Sequence, residues 1–233
     1  MSDDDLRMQA HLFCRDTYGA DQNACSSPRS VFWVNDFLRN DPDRGRKFDL
    51  GSAADAASNC RQTLSGVKQR WWDAVAKEAE RYKLEAWMAT EKYRLLCRNY
   101  AEDRRLGPVQ TWTNRLYVIP CGSAAEWVSD ASAEHAAGRE NRAAAENAKA
   151  EAILPGAKLG MFYEFDLQEI TELYPLLQEK IQTVVCIGAD PEGFLQGVRN
   201  AGCPGVDRTV CAGEALEFDT IWDRKDLIRL LSV

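Results

Sequence analysis

The sequence lacks the features that would place it in a membrane or on a nucleic acid. No apolar run approaches the roughly 18 residues that a membrane-spanning helix needs, and the acidic residues 1–5 are unlike a basic secretory leader. The net charge of -7 gives no electrostatic reason to expect nucleic acid or an anionic membrane as a partner. We therefore expect a cytoplasmic protein with no membrane span and no nucleic-acid partner.

Metal-binding and phosphate-binding patterns are missing as well. The eight cysteines include no C-x-x-C pair and the chain has two histidines, so neither a zinc site nor a disulfide framework is expected. No G-x-G-x-x-G or P-loop pattern occurs, since Gly188, Gly193 and Gly197 have the wrong spacing. We expect reduced, structural thiols at Cys14, Cys60, Cys97, Cys121, Cys186, Cys203 and Cys211.

The order of the predicted elements indicates an α/β fold. A helix over 4–18 and a strand over 30–34 come first, and apolar residues at helical spacing then extend over 52–103, with a possible break at Gly66. A β-rich run covers 110–119, and strands over 158–165, 182–188 and 209–211 alternate with helices over 167–179 and 191–201, before a last helix over 224–231. This alternation predicts a parallel sheet, with a long helical segment after the first strand. With 45% hydrophobic residues the 233-residue chain can form a core, and we expect one domain over 1–233.

The polar stretch before the first strand holds the candidate site. Cys25 follows a loop and precedes the apolar run 30–34, a position where a reactive side chain can be held at the mouth of a sheet. The Gln22 and Asn23 amides could bond a substrate carbonyl. The Ser26 and Ser27 hydroxyls favour an anion, and Arg29 adds positive charge, so these surroundings favour an anionic thiolate. The alternative is a buried cysteine that only packs, because free cysteine is among the most buried residue types.

Other residues with possible chemistry have simpler interpretations. His11 lies on the first predicted helix and would form a Cys/His dyad if it faced Cys25, but a surface or core histidine is the commoner case. Trp71, Trp72 and Trp87 recur at helical spacing, which is typical of core aromatics more than of a ligand-binding box. The alanine-rich stretch 123–152 suggests no chemistry.

Several segments together resemble one enzyme family. The run Gln22-Asn23-Ala24-Cys25-Ser26-Ser27-Pro28-Arg29 before a hydrophobic strand resembles the nucleophile segment of the bioluminescence-type fatty acyl-CoA reductases, the LuxC family, which is a branch of the aldehyde dehydrogenase superfamily. Further segments resemble that family in the same order: Gly160-Met161-Phe162-Tyr163-Glu164-Phe165, Lys180-Ile181-Gln182-Thr183-Val184, Gly205-Val206-Asp207-Arg208-Thr209-Val210, Gly213-Glu214-Ala215-Leu216, Ile221-Trp222-Asp223 and Asp226-Leu227-Ile228.

The resemblance implies a fold like that of aldehyde dehydrogenase catalytic domains and an aldehyde-forming reduction of an acyl thioester. Cys25 would attack the carbonyl of a long-chain acyl-CoA or acyl-protein thioester, and a hydride from NADPH would release a fatty aldehyde. The Asn23 amide and the Cys25 backbone N–H would stabilise the oxyanion. Glu151 would match the superfamily's glutamate that bonds the nicotinamide ribose, although it also fits an alanine-rich helix end.

The chain also departs from the family. The resemblance covers nearly all of the sequence but only the C-terminal half of the family, so we expect the Rossmann-type nucleotide-binding half, with its upstream glutamate base and asparagine, to be absent from this chain. Arg224 stands where the family more often has glycine. Two functions therefore stay open: a catalytic half that works with a separate nucleotide-binding half, or a truncated, non-catalytic binding or oligomerisation module with an inert Cys25.

Overall fold

The computed structural model of the protein describes residues 1–34, 53–129, 156–177, 181–203, 205–218, 220–222 and 225–232, with the backbone alone at 53–63 and 221–222. In chain order the elements are α1 (Asp3–Tyr18), β1 (Ser30–Val34), α2 (Ala53–Ala79), α3 (Ala86–Glu102), β2 (Gln110–Thr113), β3 (Leu116–Ser123), β4 (Met161–Leu167), a 3-10 helix (Ile170–Leu176), β5 (Thr183–Cys186), α4 (Pro191–Asn200), β6 (Arg208–Cys211), β7 (Ile221–Trp222), β8 (Lys225–Asp226) and α5 (Leu227–Leu231). Among these helices, none combines the length and apolar character needed to cross a membrane.

The central sheet has the strand order β1-β4-β3-β2. Strand β4 pairs in parallel with both β1 and β3, whereas β2 pairs antiparallel with β3. The predicted α/β fold is therefore confirmed, and the predicted parallel sheet is confirmed except for the antiparallel strand β2. The long helix α2 follows the first strand, as expected. Alternate residues of β4 enter two different cores. Met161, Tyr163, Phe165 and Leu167 pack towards α3, the 3-10 helix and α4, and Phe162 packs with α1 and α2 on the other face.

Helix α1 begins close to the predicted position because its first residues cap it well. The Ser2 hydroxyl accepts a hydrogen bond from the Asp5 backbone N–H at 3.1 Å, and the Asp5 carboxylate accepts from the Ser2 N–H at 3.2 Å. Acidic residues in the first turn also suit the helix dipole. Ala10, Phe13 and Cys14 then face α2, so α1 is held along its length by the core.

Strands β5 and β6 form a separate parallel pair joined through α4. As the sequence predicts, Pro191 is the first residue of α4 and follows the N-cap Asp190, whose carboxylate accepts from the Glu192 and Gly193 N–H groups at 3.1 and 3.0 Å. Val198 of α4 is buried in the core that includes β4. The βαβ unit is thereby packed onto the central sheet.

A buried carboxylate ties the chain after β6 to α1. Asp16 is fully buried, and its two oxygens accept from the Gly213 and Ala215 N–H groups at 2.6 and 3.2 Å. Burial raises the pKa of Asp16 above its ordinary value despite these two bonds. The neighbouring Arg15 also donates to the Gly213 carbonyl. The last turn of α1 is therefore fastened to a segment nearly 200 residues away.

The helical region differs from the prediction in where it breaks. Helix α2 runs through Gly66, which is exposed and costs a helix only about 1 kcal/mol. The break falls at residues 80–85, because Tyr82 is held by two tertiary hydrogen bonds, from its hydroxyl to Asp21 and from Arg115 to its carbonyl. Trp71 and Trp72 are core residues as expected, but Trp87 is 65% exposed.

Three other elements also differ. The strand predicted over 110–119 is a hairpin that turns at Asn114 and Arg115, and its second strand continues through Pro120 to Ser123. The helix predicted over 167–179 is a 3-10 helix over 170–176 that contains Pro175, whose missing N–H disfavours a regular α-helix. The predicted last helix is shorter, 227–231, and follows the hairpin β7–β8. Within 123–152, residues 124–129 are helical and those beyond 129 lie outside the described residues.

Candidate functional site

The Cys25 loop, residues 19–29, joins α1 to β1 and has a fixed backbone course. The Gln22 and Asn23 N–H groups donate to the Thr17 and Ala20 carbonyls at 2.7 and 2.8 Å. Asp21 and Gln22 both have positive φ, 52° and 56°, which turns the chain sharply away from α1. A further turn places Cys25 between Ala24 and Ser27, whose backbone atoms are joined at 3.1 Å.

Gln22 uses its whole side-chain amide to fasten this loop to β4. Its Nε2 donates to the Pro28 carbonyl at 2.6 Å and to the Met161 carbonyl at 2.9 Å. Its Oε1 accepts from the Gly160 and Met161 N–H groups at 2.9 and 3.3 Å. Both donors and both acceptor positions of the amide are therefore occupied. The expectation that this amide could bond a substrate carbonyl is wrong, because Gln22 is fully buried and already satisfied.

A second anchor comes from the connection between α2 and α3. The Tyr82 hydroxyl donates to the Asp21 carboxylate, and Arg115 Nε donates to the Tyr82 carbonyl at 2.7 Å. The Tyr18 hydroxyl donates to the Arg115 carbonyl at 2.9 Å, and its ring lies 4.6 Å from that of Tyr82 between centroids. The loop is therefore held from α1, from β4 and from the residues before α3.

The part of this loop that is exposed to solvent is a small polar surface around the Cys25 thiol. Cys25 is exposed, as are Asn23 and Arg29, whereas Ser26 and Ser27 are buried. The backbone N–H groups of Ala24, Cys25 and Ser26 have no acceptor among the described residues. An exposed thiol beside unpaired N–H groups and a free amide can attack a carbonyl and stabilise the oxyanion that results. The alternative of a buried, packing Cys25 is wrong.

Other cysteines have surroundings that suppress their reactivity. Burial raises the pKa of Cys14 and Cys121 to about 12, and their thiols lie 3.6 and 3.5 Å from the Val75 and Ile119 carbonyls. Burial likewise raises the pKa of Cys186 to about 11. These three are protonated at neutral pH. Cys97 and Cys211 are exposed, Cys203 is half-buried, and the side chain of Cys60 lies outside the described residues.

His11 is engaged away from the thiol loop. Its Nδ1 lies 3.1 Å from Glu78 Oε2, which Arg81 also contacts at 3.0 Å. These residues line an open cavity of about 300 Å³ between α1 and α2, together with Cys14, Arg15, Tyr18 and Tyr82. The structure therefore pairs His11 with a carboxylate of α2, and a Cys/His dyad with Cys25 gains no support.

The remaining candidates fall into two groups. Glu151 lies outside the described residues, as does Arg224. Val31, Phe32 and Trp33 of β1 contribute to the two cores, with Phe32 stacked on Phe165 at 5.0 Å between ring centroids. In the described parts of the chain, no cluster of three or more histidine, cysteine or acidic side chains could hold a metal ion.

Sequence reasoning missed the buried residues that position the loop and the sheet. Glu164 of β4 is 5% exposed, and its Oε1 accepts from the indole N–H groups of Trp33 and Trp72 at 2.8 and 2.7 Å. Lys68 lies 3.4 Å from Glu164 Oε2 and 2.5 Å from Asp166. A charged residue within an otherwise apolar strand was the available signal. Asp16 near the end of an amphipathic helix gave a similar one.

Comparisons of the chain with protein-family models, with curated proteins and with solved structures gave no match.

Proposed function

We propose that this chain is the acyl-accepting, catalytic half of an aldehyde-forming acyl thioester reductase of the LuxC type, with Cys25 as the nucleophile. The observation that carries the proposal is the contact between segments that resemble that family. Gln22 of the first segment bonds Gly160 and Met161 of the second, and a later segment is held nearby because its Gly213 and Ala215 bond Asp16 of the preceding helix α1. Residues far apart in sequence thus converge on the loop that exposes Cys25.

The acyl-transfer step uses groups of the chain itself. The Cys25 thiolate attacks the carbonyl carbon of an acyl-CoA or acyl-protein thioester, and the carbonyl electrons become an oxyanion held by the Cys25 N–H and the Asn23 amide. When the oxyanion collapses, the carrier leaves as a thiolate and takes up a proton. The acyl group is then bound to Cys25 as a thioester. Exchange between two similar thioesters is nearly balanced in energy, so the step is reversible and the product stays electrophilic.

The described residues do not fit the hydride donor, NADPH. The turn from β5 into α4 is the type of place where a pyrophosphate binds, but Asp190 already caps that helix and Glu192 adds a second negative charge in its first turn. We therefore assign no step to the nucleotide here. In the proposal a separate nucleotide-binding half supplies it.

Mass spectrometry after incubation with a long-chain acyl-CoA tests this function. The chain should gain one acyl group, the adduct should be lost in Cys25→Ala, and Cys97→Ala should retain it because Cys97 is exposed on another element. NADPH should stay unconsumed until a nucleotide-binding half is added. An adduct that persists in Cys25→Ala, or NADPH oxidation by the chain alone, contradicts the assignment.

A specific observation favours the second candidate, an oligomerisation module. Large apolar side chains of the C-terminal helix α5 are exposed: Ile228 at 61%, Leu230 at 59% and Leu231 at 82%. An apolar surface of this kind commonly meets a partner, here a second copy of the chain. If the folded chain takes up no acyl group under any condition but self-associates in sedimentation, this candidate replaces the first.

A further inference from the structure

Two cysteines face each other at the carboxyl ends of β5 and β6. The two strands are parallel, and their register pairs Thr183 with Arg208 at one end and Cys186 with Cys211 at the other. Register partners in a parallel pair project from the same face of the sheet, so both thiols lie on one side. Both are free, Cys186 half-buried and Cys211 exposed.

The spacing of paired strands allows a bond between these thiols. Neighbouring strands lie about 4.7–4.9 Å apart, which is inside the range of about 4.4–6.8 Å that joins the Cα atoms of disulfide-bonded cysteines. The Cβ atoms of a disulfide, however, lie only about 3.8 Å apart, so the two Cα–Cβ bonds must tilt towards each other when the bond forms. A bond that distorts the two strands in this way is more easily reduced than an unstrained structural disulfide.

We propose that Cys186 and Cys211 form a reversible dithiol–disulfide site that reacts with small disulfides such as glutathione disulfide. The site lies at the carboxyl edge of a βαβ unit, next to the first residue of α4. The Thr209 hydroxyl, on the same face of β6 as Cys211, donates to the Pro191 carbonyl at 2.8 Å. The site is distinct from Cys25 and does not depend on acyl transfer.

The surroundings assign different roles to the two thiols. Burial, with smaller contributions from Cys211 and the Asp190 carboxylate, raises the pKa of Cys186. Cys211 is exposed and meets the oxidant first. Its thiolate attacks one sulfur of glutathione disulfide and releases one glutathione thiolate, which leaves a mixed disulfide on Cys211. The Cys186 sulfur then attacks the Cys211 sulfur, displaces the second glutathione and loses its proton. The protein gives up two electrons and two protons, and both glutathiones leave reduced.

Oxidation at this site also affects the segment after β6 that is hydrogen-bonded to α1. Cys211 begins a turn in which its N–H donates to Glu214 Oε2 at 3.0 Å and the Glu214 N–H donates to its carbonyl at 3.2 Å. Within that turn, Gly213 bonds the buried Asp16. A bridge from Cys211 to Cys186 therefore fixes the strand that leads into this contact.

The test is carried out on the full-length Cys25→Ala chain, so that its outcome is independent of the proposed acyl transfer. The protein is treated with glutathione disulfide, its remaining thiols are blocked, and it is digested with trypsin. Cleavage after Arg199 and Arg208 puts Cys186, Cys203 and Cys211 on separate peptides. We expect a Cys186–Cys211 cross-link that disappears on treatment with dithiothreitol. Circular dichroism before and after oxidation shows that the chain stays folded.

Variants separate the two steps. Cys186→Ser should stop at a glutathione mixed disulfide on Cys211, and Cys211→Ser should give neither that adduct nor a cross-link. Cys97→Ser, which removes an exposed cysteine from α3, should leave the cross-link unchanged. A stable mixed disulfide on Cys211 in a chain that still has Cys186 overturns the proposal, as does a cross-link from either cysteine to a different partner.

Discussion

Replacing Gln22 with methionine removes the polar group that holds the Cys25 loop on β4 while keeping a side chain of similar length. The change breaks four hydrogen bonds, to Pro28, Gly160 and twice to Met161. A buried hydrogen bond contributes about 0.5–1.5 kcal/mol net, so the free energy of unfolding should fall by roughly 2–6 kcal/mol. Because the site is fully buried, water cannot replace the lost partners without opening the loop.

Urea unfolding followed by tryptophan fluorescence measures this loss, since Trp71 and Trp72 are buried in the core beside α1. Gln168→Met is the matched control, because Gln168 is exposed and the change there should stay within about 0.5 kcal/mol. A loss of less than about 1 kcal/mol for Gln22→Met would refute the assignment of Gln22 as the anchor of the loop.

The same variant, Gln22→Met, distinguishes the accessibility of the Cys25 thiol from its positioning relative to the oxyanion donors. Alkylation of Cys25 by a small reagent needs only access, so its rate should be kept under conditions where the variant is folded. Acyl transfer needs the thiol and the oxyanion donors in a fixed arrangement, and a misplaced donor costs about 100-fold to 1000-fold in rate. Equal losses in both reactions would mean that Gln22 controls only access to the thiol.

Two further predictions concern buried charges on either side of the sheet. Burial lowers the pKa of Lys92 to about 7 from its ordinary 10.5, so above pH 7 the folded state binds fewer protons than the unfolded state. The free energy of unfolding should therefore rise between pH 7 and 9, by at most about 1.4 kcal/mol per pH unit. Urea unfolding of Lys92→Met should lack this pH dependence. Glu164→Leu strands two indole N–H groups and leaves Lys68 with Asp166 as its one carboxylate partner, and it should cost about 3–5 kcal/mol. Glu164→Gln keeps the oxygen that both indoles share and should cost clearly less, so equal costs in the same assay would contradict the shared-oxygen geometry.

The helices and strands that can be predicted from the sequence are those in which the local residue pattern agrees with the tertiary contacts. The strand at 30–34 is β-branched and aromatic, and it pairs with β4 over its whole length. The unit from β5 to β6 has alternating apolar runs and an Asp-Pro helix start. In both places, the same residues that favour the local conformation also supply the core contacts, so periodicity was sufficient.

The elements that sequence reasoning misplaced are set by distant partners. Helix α2 ends because Tyr82 bonds Asp21 and Arg115, and no residue near the break is a strong helix breaker. Strand β3 tolerates Pro120 because its pairing with β2 stops at Val118, so the missing N–H costs no bond on that side. At that point the Pro120 carbonyl accepts from Gly107 instead, at 2.8 Å. Neither fact is visible in a window of neighbouring residues.

The residues of the candidate site also include some that the sequence predicts and some that it does not. Residue type and a place before a strand predict Cys25 and Asn23 as site residues, and the structure shows that both are exposed, whereas their catalytic role stays a prediction. The role of Gln22 could not be deduced, because its partners Gly160 and Met161, at the start of β4, lie 138 and 139 residues away and its positive φ is not encoded by a glycine. Residue type alone made Gln22 look like a substrate ligand, whereas burial makes it a structural anchor.

The residues that hold the Cys25 loop in place are different from the residues that it exposes. Residues 19–29 contain no helix or strand, so their course depends on side-chain bonds from Gln22 and Asp21 and on the closure of α1 by Asp16. None of these bonds involves Cys25, Asn23 or Arg29, the exposed residues that would meet a substrate. The surface can therefore change without loss of the fold, whereas loss of one anchor displaces all of the exposed groups together. A chain that kept its anchors and lost Cys25 would fold in the same way and carry no acyl group.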